Sequence, residues 1–251
     1  MNNIIDGSES RILAGENLTI TGSSGASGGE YDRVKIVGES EIDGDIACNR
    51  LKCTGTMTLN GRLRAKDIRV TGTAEVSDHT QADTVHVSGT LAVAGDARLS
   101  QLRCQGAVEV KGRLSGESLS VTGQLLAGGG CEAESVTIRG MFEIGGLLNA
   151  GRLDVKLYQN SSAREIGGGN IRIKKASLLN PVHLFFFRPD RDAVLTVSAI
   201  EGDEIYLEHT KAEVVRGNQV TIGPGCEIGL VEYKTRLQCS GSAKVAERRQ
   251  I

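Results

Sequence analysis

Residues 34–50 read VKIVGESEIDGDIACNR, and residues 51–67, which follow directly, read LKCTGTMTLNGRLRAKD. When the two segments are superposed, apolar residues fall on apolar residues and glycine falls on glycine. The same 17-residue unit continues to Val155. One glycine at the same place in each unit marks the repeat: Gly38, Gly55, Gly72, Gly89, Gly106, Gly123 and Gly140.

Four apolar columns keep the 17-residue step, and they begin at Val34, Ile36, Ile42 and Ile46. A second glycine column begins at Gly44, six residues after Gly38, and is interrupted only by Asp78. Within one unit, apolar and polar residues alternate, which is typical of a strand with one buried face. Since glycine can turn a corner without steric cost, each unit predicts three short strands that meet at corners.

Stacking such units places each column above itself, with rungs about 4.8 Å apart. The sequence therefore predicts an all-β fold, a triangular parallel β-helix with 17-residue rungs. The composition agrees, because the chain has 33 glycines, few aromatic residues and no tryptophan. This composition predicts a narrow interior that admits medium-sized aliphatic side chains and little else.

The first rung is expected to begin at Leu18 and Ile20, which match the first two apolar columns with a step of 16. Residues 1–17 are predicted to be a flexible tail, and 18–157 to be the β-helix core. The rest of this first rung is rich in glycine and serine. Terminal repeats are usually atypical, so this rung is predicted to be a cap or an end-to-end contact, with Leu18 and Ile20 as self-assembly residues.

After Val155 the register slips, and residues 158–235 are predicted to form a shorter β-helical block that contains an aromatic insertion. The interval from Ile171 to Ile205 is twice the 17-residue step, and it is interpreted as two nominal rungs. Beyond that point a step of 15 is predicted, in which Ile200, Val215 and Leu230 share a column. Residues 236–251 are predicted to be a polar C-terminal tail.

Phe185, Phe186 and Phe187 are three consecutive aromatic residues within the insertion. Because side chains alternate along a strand, they point to both faces. One side is predicted to cover the junction between the two blocks and the other to be a contact surface. Two alternatives stay open: a hinge buried on both sides, and a membrane contact flanked by Arg188 and Arg191.

The sequence offers little chemistry. Cys48, Cys53, Cys104 and Cys131 all fall on inward columns and no C-x-x-C occurs, so reduced core cysteines are predicted. The four histidines are dispersed, and no glycine-rich run continues into the Gly-Lys-Ser/Thr of a phosphate loop. We expect no catalytic residues, no cofactor and no metal.

Two outward columns carry charge. One contains Lys35, Lys52, Arg69, His86 and Arg103; the other contains Glu41, Glu75, Glu109 and Glu143 on alternate rungs. Solvated faces of mixed charge are the first interpretation. The alternative is an anionic partner for the basic column, such as membrane headgroups. With a net charge of −2, nucleic acid is an unlikely partner.

The pattern Val34-x-Ile36-x-Gly38 … Ile42-x-Gly44-x-Ile46, repeated across 18–157, resembles the bactofilins, a family of polymer-forming bacterial cytoskeletal proteins. The resemblance implies a right-handed triangular β-helix that assembles end to end into non-polar filaments without nucleotide. It also implies a scaffold in cell shape, motility or envelope-associated machinery. The implied partners are further copies of the chain, a paralogous bactofilin or other cytoplasmic proteins.

We therefore expect a non-enzymatic, self-assembling scaffold in the cytoplasm, where contact with the inner membrane surface is an open alternative. Residues Met1–Ser10 show no apolar run of a signal peptide. Two other function classes are alternatives. A β-helical enzyme of the acyltransferase or lyase type fits less well, because hexapeptide enzymes keep a six-residue step. A non-polymerising binding module, such as a division-regulator β-helix, also stays open.

Overall fold

The computed structural model describes residues 16–176, 190 and 192–251. These residues form one parallel sheet of eleven strands in which each strand pairs with the next one in sequence, so the chain winds up as a β-solenoid one rung at a time. The strands are β1 (Glu16–Asn60), β2 (Leu63–Val76), β3 (Thr80–Val93), β4 (Ala97–Val110), β5 (Leu114–Ala127), β6 (Cys131–Leu157), β7 (Ser161–Lys175), β8 (Leu195–Leu207), β9 (Thr210–Ile222), β10 (Glu227–Cys239) and β11 (Lys244–Gln250).

The 17-residue step is confirmed from β1 to β6. Leu51 pairs with Ile68, Ile68 with Val85 and Val85 with Leu102, so that each residue meets its equivalent in the next unit. Along each strand, buried and exposed residues alternate except at the corners. The side-chain columns of the sequence are therefore real ladders in space, and an outward column is as regular as an inward one.

The first corner is set by the glycine column that starts at Gly38. Gly89, for example, has φ +131°, a backbone conformation that residues with a Cβ rarely adopt. A Cβ built at Gly89 would also overlap the carbonyl oxygen of Gly72, one rung earlier. Conformation and close approach thus both require glycine at this corner.

Six columns point inward, two more than the four apolar columns identified by their spacing; of these two, the column of Cys48 is the one expected to face inward through its cysteine. One of the extra columns starts at Cys48, and the other contains Ser40, Met57, Ala74, Leu91, Val108, Leu125 and Phe142. The expectation that the interior admits little beyond aliphatic residues is wrong at Phe142, which is completely buried. Its backbone N–H donates to the hydroxyl of the small Ser161, so a small side chain on the following rung accompanies the large ring.

Rung length changes after β6, although the sheet continues. Leu153 pairs with Ile171, a step of 18, and the strand breaks move from the second glycine corner to the first. No break in the sheet separates a second block from the core within the described residues; β6, β7 and β8 pair in one continuous ladder.

The interpretation of the interval from Ile171 to Ile205 as two rungs is wrong. Ile171 pairs directly with Ile205, so the step from β7 to β8 is a single rung with an excursion between Lys175 and Leu195. The predicted 15-residue step holds from β8 to β9, where Ile200 pairs with Val215. It fails on the next rung, because Val215 pairs with Val231 and not with Leu230.

The prediction of a polar tail over 236–251 is also wrong. β10 extends to Cys239, and β11 pairs with it in parallel, with Ile228 opposite Val245 and Tyr233 opposite Gln250. The backbone ladder accounts for this, because a mostly polar segment still gains main-chain hydrogen bonds when it stacks on a preceding rung. At the other end, β1 already begins at Glu16, inside the predicted tail.

The inward and outward assignment predicts a sharp difference between two neighbouring substitutions on β3. Val87 is 2% exposed and His86 is half-buried on the outer surface. Val87→Asp would place an unpaired carboxylate in the apolar ladder and is expected to cost several kcal/mol of unfolding free energy. His86→Asp is expected to change it by less than about 1 kcal/mol. Thermal and denaturant melting measure both, and equal losses would contradict the assignment.

Candidate functional site: the two ends of the solenoid

The N-terminal rung is the first part of β1. Ile20 is buried (5% exposed) and belongs to the core, whereas Leu18 is half-buried at its margin. Gly22 has φ +85° and lies one rung before Gly38, so the predicted step of 16 describes this rung. Ala26 and Tyr31 are also half-buried and pack against the core. Of the two assembly residues predicted on this rung, Leu18 is the more accessible.

The C-terminal rung is β11, a short strand that carries Lys244, Glu247, Arg248 and Arg249. The sequence prediction missed this end of the solenoid because the segment has almost no apolar periodicity. One signal was available: the 17-residue step still relates Glu227 to Lys244 and Ile228 to Val245. Among the described residues, β11 has a pairing partner on one side only.

Two ion ladders join β11 to the rungs before it. In the first, Glu227 lies between Lys211 and Lys244, with Nζ–carboxylate distances of 3.3 and 3.1 Å. In the second, Glu232 lies between Arg216 and Arg249, with N–O distances of 2.6 and 3.2 Å. Each ladder runs over three rungs in the order cation, anion, cation, and each ends on a cation of the last strand.

The ladders lower the pKa of both carboxyl groups. Hydrogen bonds from Lys244 and Lys211 lower the pKa of Glu227, and the hydrogen bond from Arg216 is the main cause of the lowered pKa of Glu232. Both glutamates are therefore ionised at neutral pH, and they hold the last strand by charge as well as by its backbone ladder.

Phe185, Phe186 and Phe187 lie outside the described residues, so their predicted contact stays a prediction. The ends of the excursion that carries them are described. The N–H of Ala176 donates to Leu157 O at 2.9 Å, and the N–H of Asp190 donates to Tyr158 O at 2.7 Å. The excursion thus leaves and returns where the chain passes from β6 to β7, at the corner that the first glycine column occupies in earlier rungs.

Comparison with known proteins gives two relatives. The chain is 58% identical over 232 residues to uncharacterized protein YhbE of Bacillus subtilis, a match that covers 92% of this chain and 96% of YhbE. The chain belongs to the YhbE family. It is also 39% identical over 106 residues to uncharacterized protein YhbF of the same organism, where the match covers 42% of each chain. No family model and no solved structure matches the sequence.

In this member of the YhbE family, the predicted core position of four cysteines is confirmed. Cys48, Cys53, Cys104 and Cys131 are free and buried. Burial raises the pKa of Cys48, Cys104 and Cys131 to about 12, so these thiols are protonated at neutral pH and are poor nucleophiles.

The second corner is the one at Gly44, Gly61 and their equivalents, and the face that follows it is here called the third face. A shallow groove of about 820 Å³ runs along the third face from β1 to β5. At the second corner, side chains accept hydrogen bonds from the backbone of the following rung. Asp45 accepts from Arg62 N at 2.8 Å, His79 Nδ1 from Asp96 N at 2.8 Å, and Asp96 from Arg113 N at 2.8 Å. These hydrogen bonds stabilise the corner. The described residues include no group of three or more His, Cys, Asp or Glu side chains arranged to hold a metal ion.

Within the part of the chain that the structure describes, no helix has the length and apolar character needed to cross a membrane.

The ion ladders predict that pairing of β11 depends on pH. Because the pKa of Glu227 and Glu232 is lowered in the folded protein, their contribution is fully present above the ordinary glutamate value of 4.5 and is lost as the pH falls below it. Hydrogen exchange of the amides of 244–251, corrected for intrinsic rates, is expected to show lower protection at pH 3.5 than at pH 7.

Glu232→Gln is expected to lower this protection already at pH 7 and to weaken its pH dependence. Glu247→Gln is the matched control, because among the described residues the carboxylate of Glu247 makes its ion pair within its own strand, with Arg249 at 2.8 Å, and none with an earlier rung. If the two variants behave alike, the cross-rung ladder does not hold the last strand.

Proposed function

We propose that this protein is a non-enzymatic structural scaffold that self-assembles end to end into filaments or oligomers without nucleotide. The observation that carries the proposal is the single parallel sheet of eleven strands whose first and last rungs are, within the described residues, each paired on one side. An unpaired strand edge presents N–H and C=O groups that a second chain can complete. Joining two ends extends the same ladder that holds the rungs together inside one molecule.

The N-terminal end offers apolar surface for such a contact. Leu18, Ala26 and Tyr31 are half-buried in the monomer and pack against the core from the outermost described rung. A second end placed over this rung buries their remaining apolar area, which contributes about 25 cal/mol per Å². The glycines between Gly22 and Gly29 have no side chains that project from this rung, so another backbone can approach it closely.

The C-terminal end offers charge. Lys244, Arg248 and Arg249 lie on the last strand, and Arg249 ends a ladder in which cation and anion alternate from rung to rung. Charged residues on an edge strand oppose indiscriminate pairing. A partner at this end must therefore supply acidic groups at the next rung, which makes the contact selective.

The proposed cellular role follows the resemblance to bactofilins: support of cell shape, motility or envelope-associated machinery from the cytoplasm. The partners in this proposal are further copies of the chain and paralogous chains. The similarity to YhbF over 106 residues supports a paralogue with a related rod segment. Because the rung edges are backbone, a paralogue with the same rung spacing also fits the ladder, provided that it supplies acidic groups opposite the cations of the C-terminal strand.

The proposal predicts assembly that is independent of nucleotide. Sedimentation of the purified protein in buffer, with ATP and with GTP is expected to give the same pelleted fraction, because the contact uses strand edges and no bound phosphate. Electron microscopy of the pellets identifies filaments. A pelleted fraction that rises or falls with nucleotide would reject this mechanism.

A second experiment tests the ends. Leu18→Glu places a charge on the end rung, whereas Leu147→Glu makes the same change at a side chain that is 45% exposed in the middle of the rod. The end variant is expected to lower the pelleted fraction about tenfold, as a charge left unpaired in a contact does, and to melt close to the parent. The mid-rod variant is expected to assemble like the parent. Equal assembly of both variants would contradict an end contact.

The size of the oligomer that an end variant still forms shows whether like or unlike ends meet. Val245→Glu makes the corresponding change on β11, where Val245 is half-buried. If like ends meet, either end variant alone still forms dimers through its intact end. If unlike ends meet, either variant alone stays monomeric. Analytical ultracentrifugation separates these two cases.

A further inference from the structure

One outer face of the rod carries a column of basic residues, here called the basic stripe: Lys35, Lys52, Arg69, His86 and Arg103. The strand register stacks them, since Lys52 pairs with Arg69, Arg69 with His86 and His86 with Arg103. All but the half-buried His86 are exposed. The predicted column is therefore a continuous line of basic side chains parallel to the axis of the rod.

The adjacent face carries a column of acidic residues, here called the acidic stripe: Glu41, Glu75, Glu109 and Glu143. They lie on alternate rungs of one column, with Ala92 between Glu75 and Glu109 and Leu126 between Glu109 and Glu143. All four are exposed. The Gly38 corner separates the two faces, so the two stripes point in different directions.

The monomer leaves most of this charge without an internal partner. Arg69 contacts Asp67 at 3.2 Å, and Glu41 accepts a hydrogen bond from Asn60 at 3.1 Å. Lys35, Lys52 and Arg103 make no ion pair with any described residue. The same holds, across the described ranges, for Glu75, Glu109 and Glu143. These two columns thus place opposite charges on two separate faces of a chain whose net charge is only −2.

The two stripes match in spacing. Rungs are about 4.8 Å apart, so the basic residues recur about every 4.8 Å and the acidic residues about every 9.6 Å. Both intervals come from the same ladder and one is twice the other, so they stay in step wherever the two stripes of parallel or antiparallel rods overlap. The basic stripe from Lys35 to Arg103 spans four 17-residue steps and the acidic stripe from Glu41 to Glu143 spans six, so the whole basic stripe can lie along the acidic one.

We propose that these rods associate side by side, with the basic stripe of one copy against the acidic stripe of a second copy. The second copy is the partner because it carries the complementary charge at the matching axial interval. An anionic lipid surface would account for the basic stripe alone. The association uses the sides of the rod and does not rest on contact between its ends.

Association of this kind depends on salt. The charges are exposed and the Debye length shrinks from about 10 Å at 0.1 M to about 3 Å at 1 M, so high salt screens the contact. Lateral bundles seen by electron microscopy and light scattering are expected to disperse into single rods or single filaments as salt rises. The end contact, which uses backbone pairing and apolar area, is expected to persist.

Three charge-reversal variants test the proposal. The first reverses the basic stripe with Lys35→Glu, Lys52→Glu and Arg103→Glu. The second reverses the acidic stripe with Glu75→Lys, Glu109→Lys and Glu143→Lys. The control makes a matched change on the exposed third face with Arg64→Glu, Arg98→Glu and Arg113→Glu. Each variant is first checked for the parent's melting temperature and circular dichroism.

Each stripe variant alone is expected to lose lateral association about tenfold, since like charges then oppose each other, while the control behaves as the parent. An equimolar mixture of the two stripe variants is expected to recover it, because the acidic faces of one then meet the basic faces of the other. Failure of the mixture to recover would overturn the proposal.

A second measurement separates the membrane alternative. Vesicles of phosphatidylcholine with an equal share of phosphatidylglycerol are mixed with the parent and with each stripe variant. If reversal of the basic stripe abolishes vesicle binding and leaves lateral association unchanged, the stripe is a membrane contact and the proposal is overturned. Loss of lateral association with both stripe variants, and its recovery in the mixture, supports it.

Discussion

The structure depends on the parallel backbone ladder between successive rungs and on the glycine corner that keeps those rungs in register. At each step from Gly38 to Gly140, the carbonyl oxygen of one glycine occupies the position that a Cβ of the next would need. A side chain at any of these corners would push two rungs apart. Since inward and outward positions alternate from the corner, this one column determines which residues enter the core and which face solvent.

The sequence was most informative where each rung repeats the one before it. The columns that begin at Val34 and Ile36 stay aliphatic or cysteine over many rungs, and their spacing alone predicted the step that the strand pairs show. The inward column from Ser40 to Phe142 was harder to recognise, because it contains a serine and an alanine as well as large residues. A search for columns that are apolar on every rung does not detect it.

The ends of the solenoid and the interval between β7 and β8 do not show the apolar repeat of the core. The predictions made for them are wrong or remain untested. β11 is held by main-chain pairing and by the ion ladders through Glu227 and Glu232, so it needs few apolar residues and resembles a tail in sequence. The interval between Ile171 and Ile205 matched two rungs by length alone, although the ladder closes directly across it. Of the candidate assembly residues, Ile20 is core, Leu18 is at the margin of the end rung, and the phenylalanines lie outside the described residues.

From Gly38 to Gly140 every rung has 17 residues, so the length of this part of the rod can change only by whole rungs. Removing or duplicating one 17-residue unit between Gly38 and Gly140 shortens or lengthens the rod by about 4.8 Å and leaves every column intact. A change of one residue within a strand would turn the side chains that follow it to the opposite face, whereas a change at a corner is absorbed, as the steps of 18 and 15 residues after β6 show. Rods of this type can therefore diverge in length by whole rungs while their cross-section stays the same, and two chains of unequal length can share identical ends. The number of corner glycines therefore gives the length of this part of the rod in rungs.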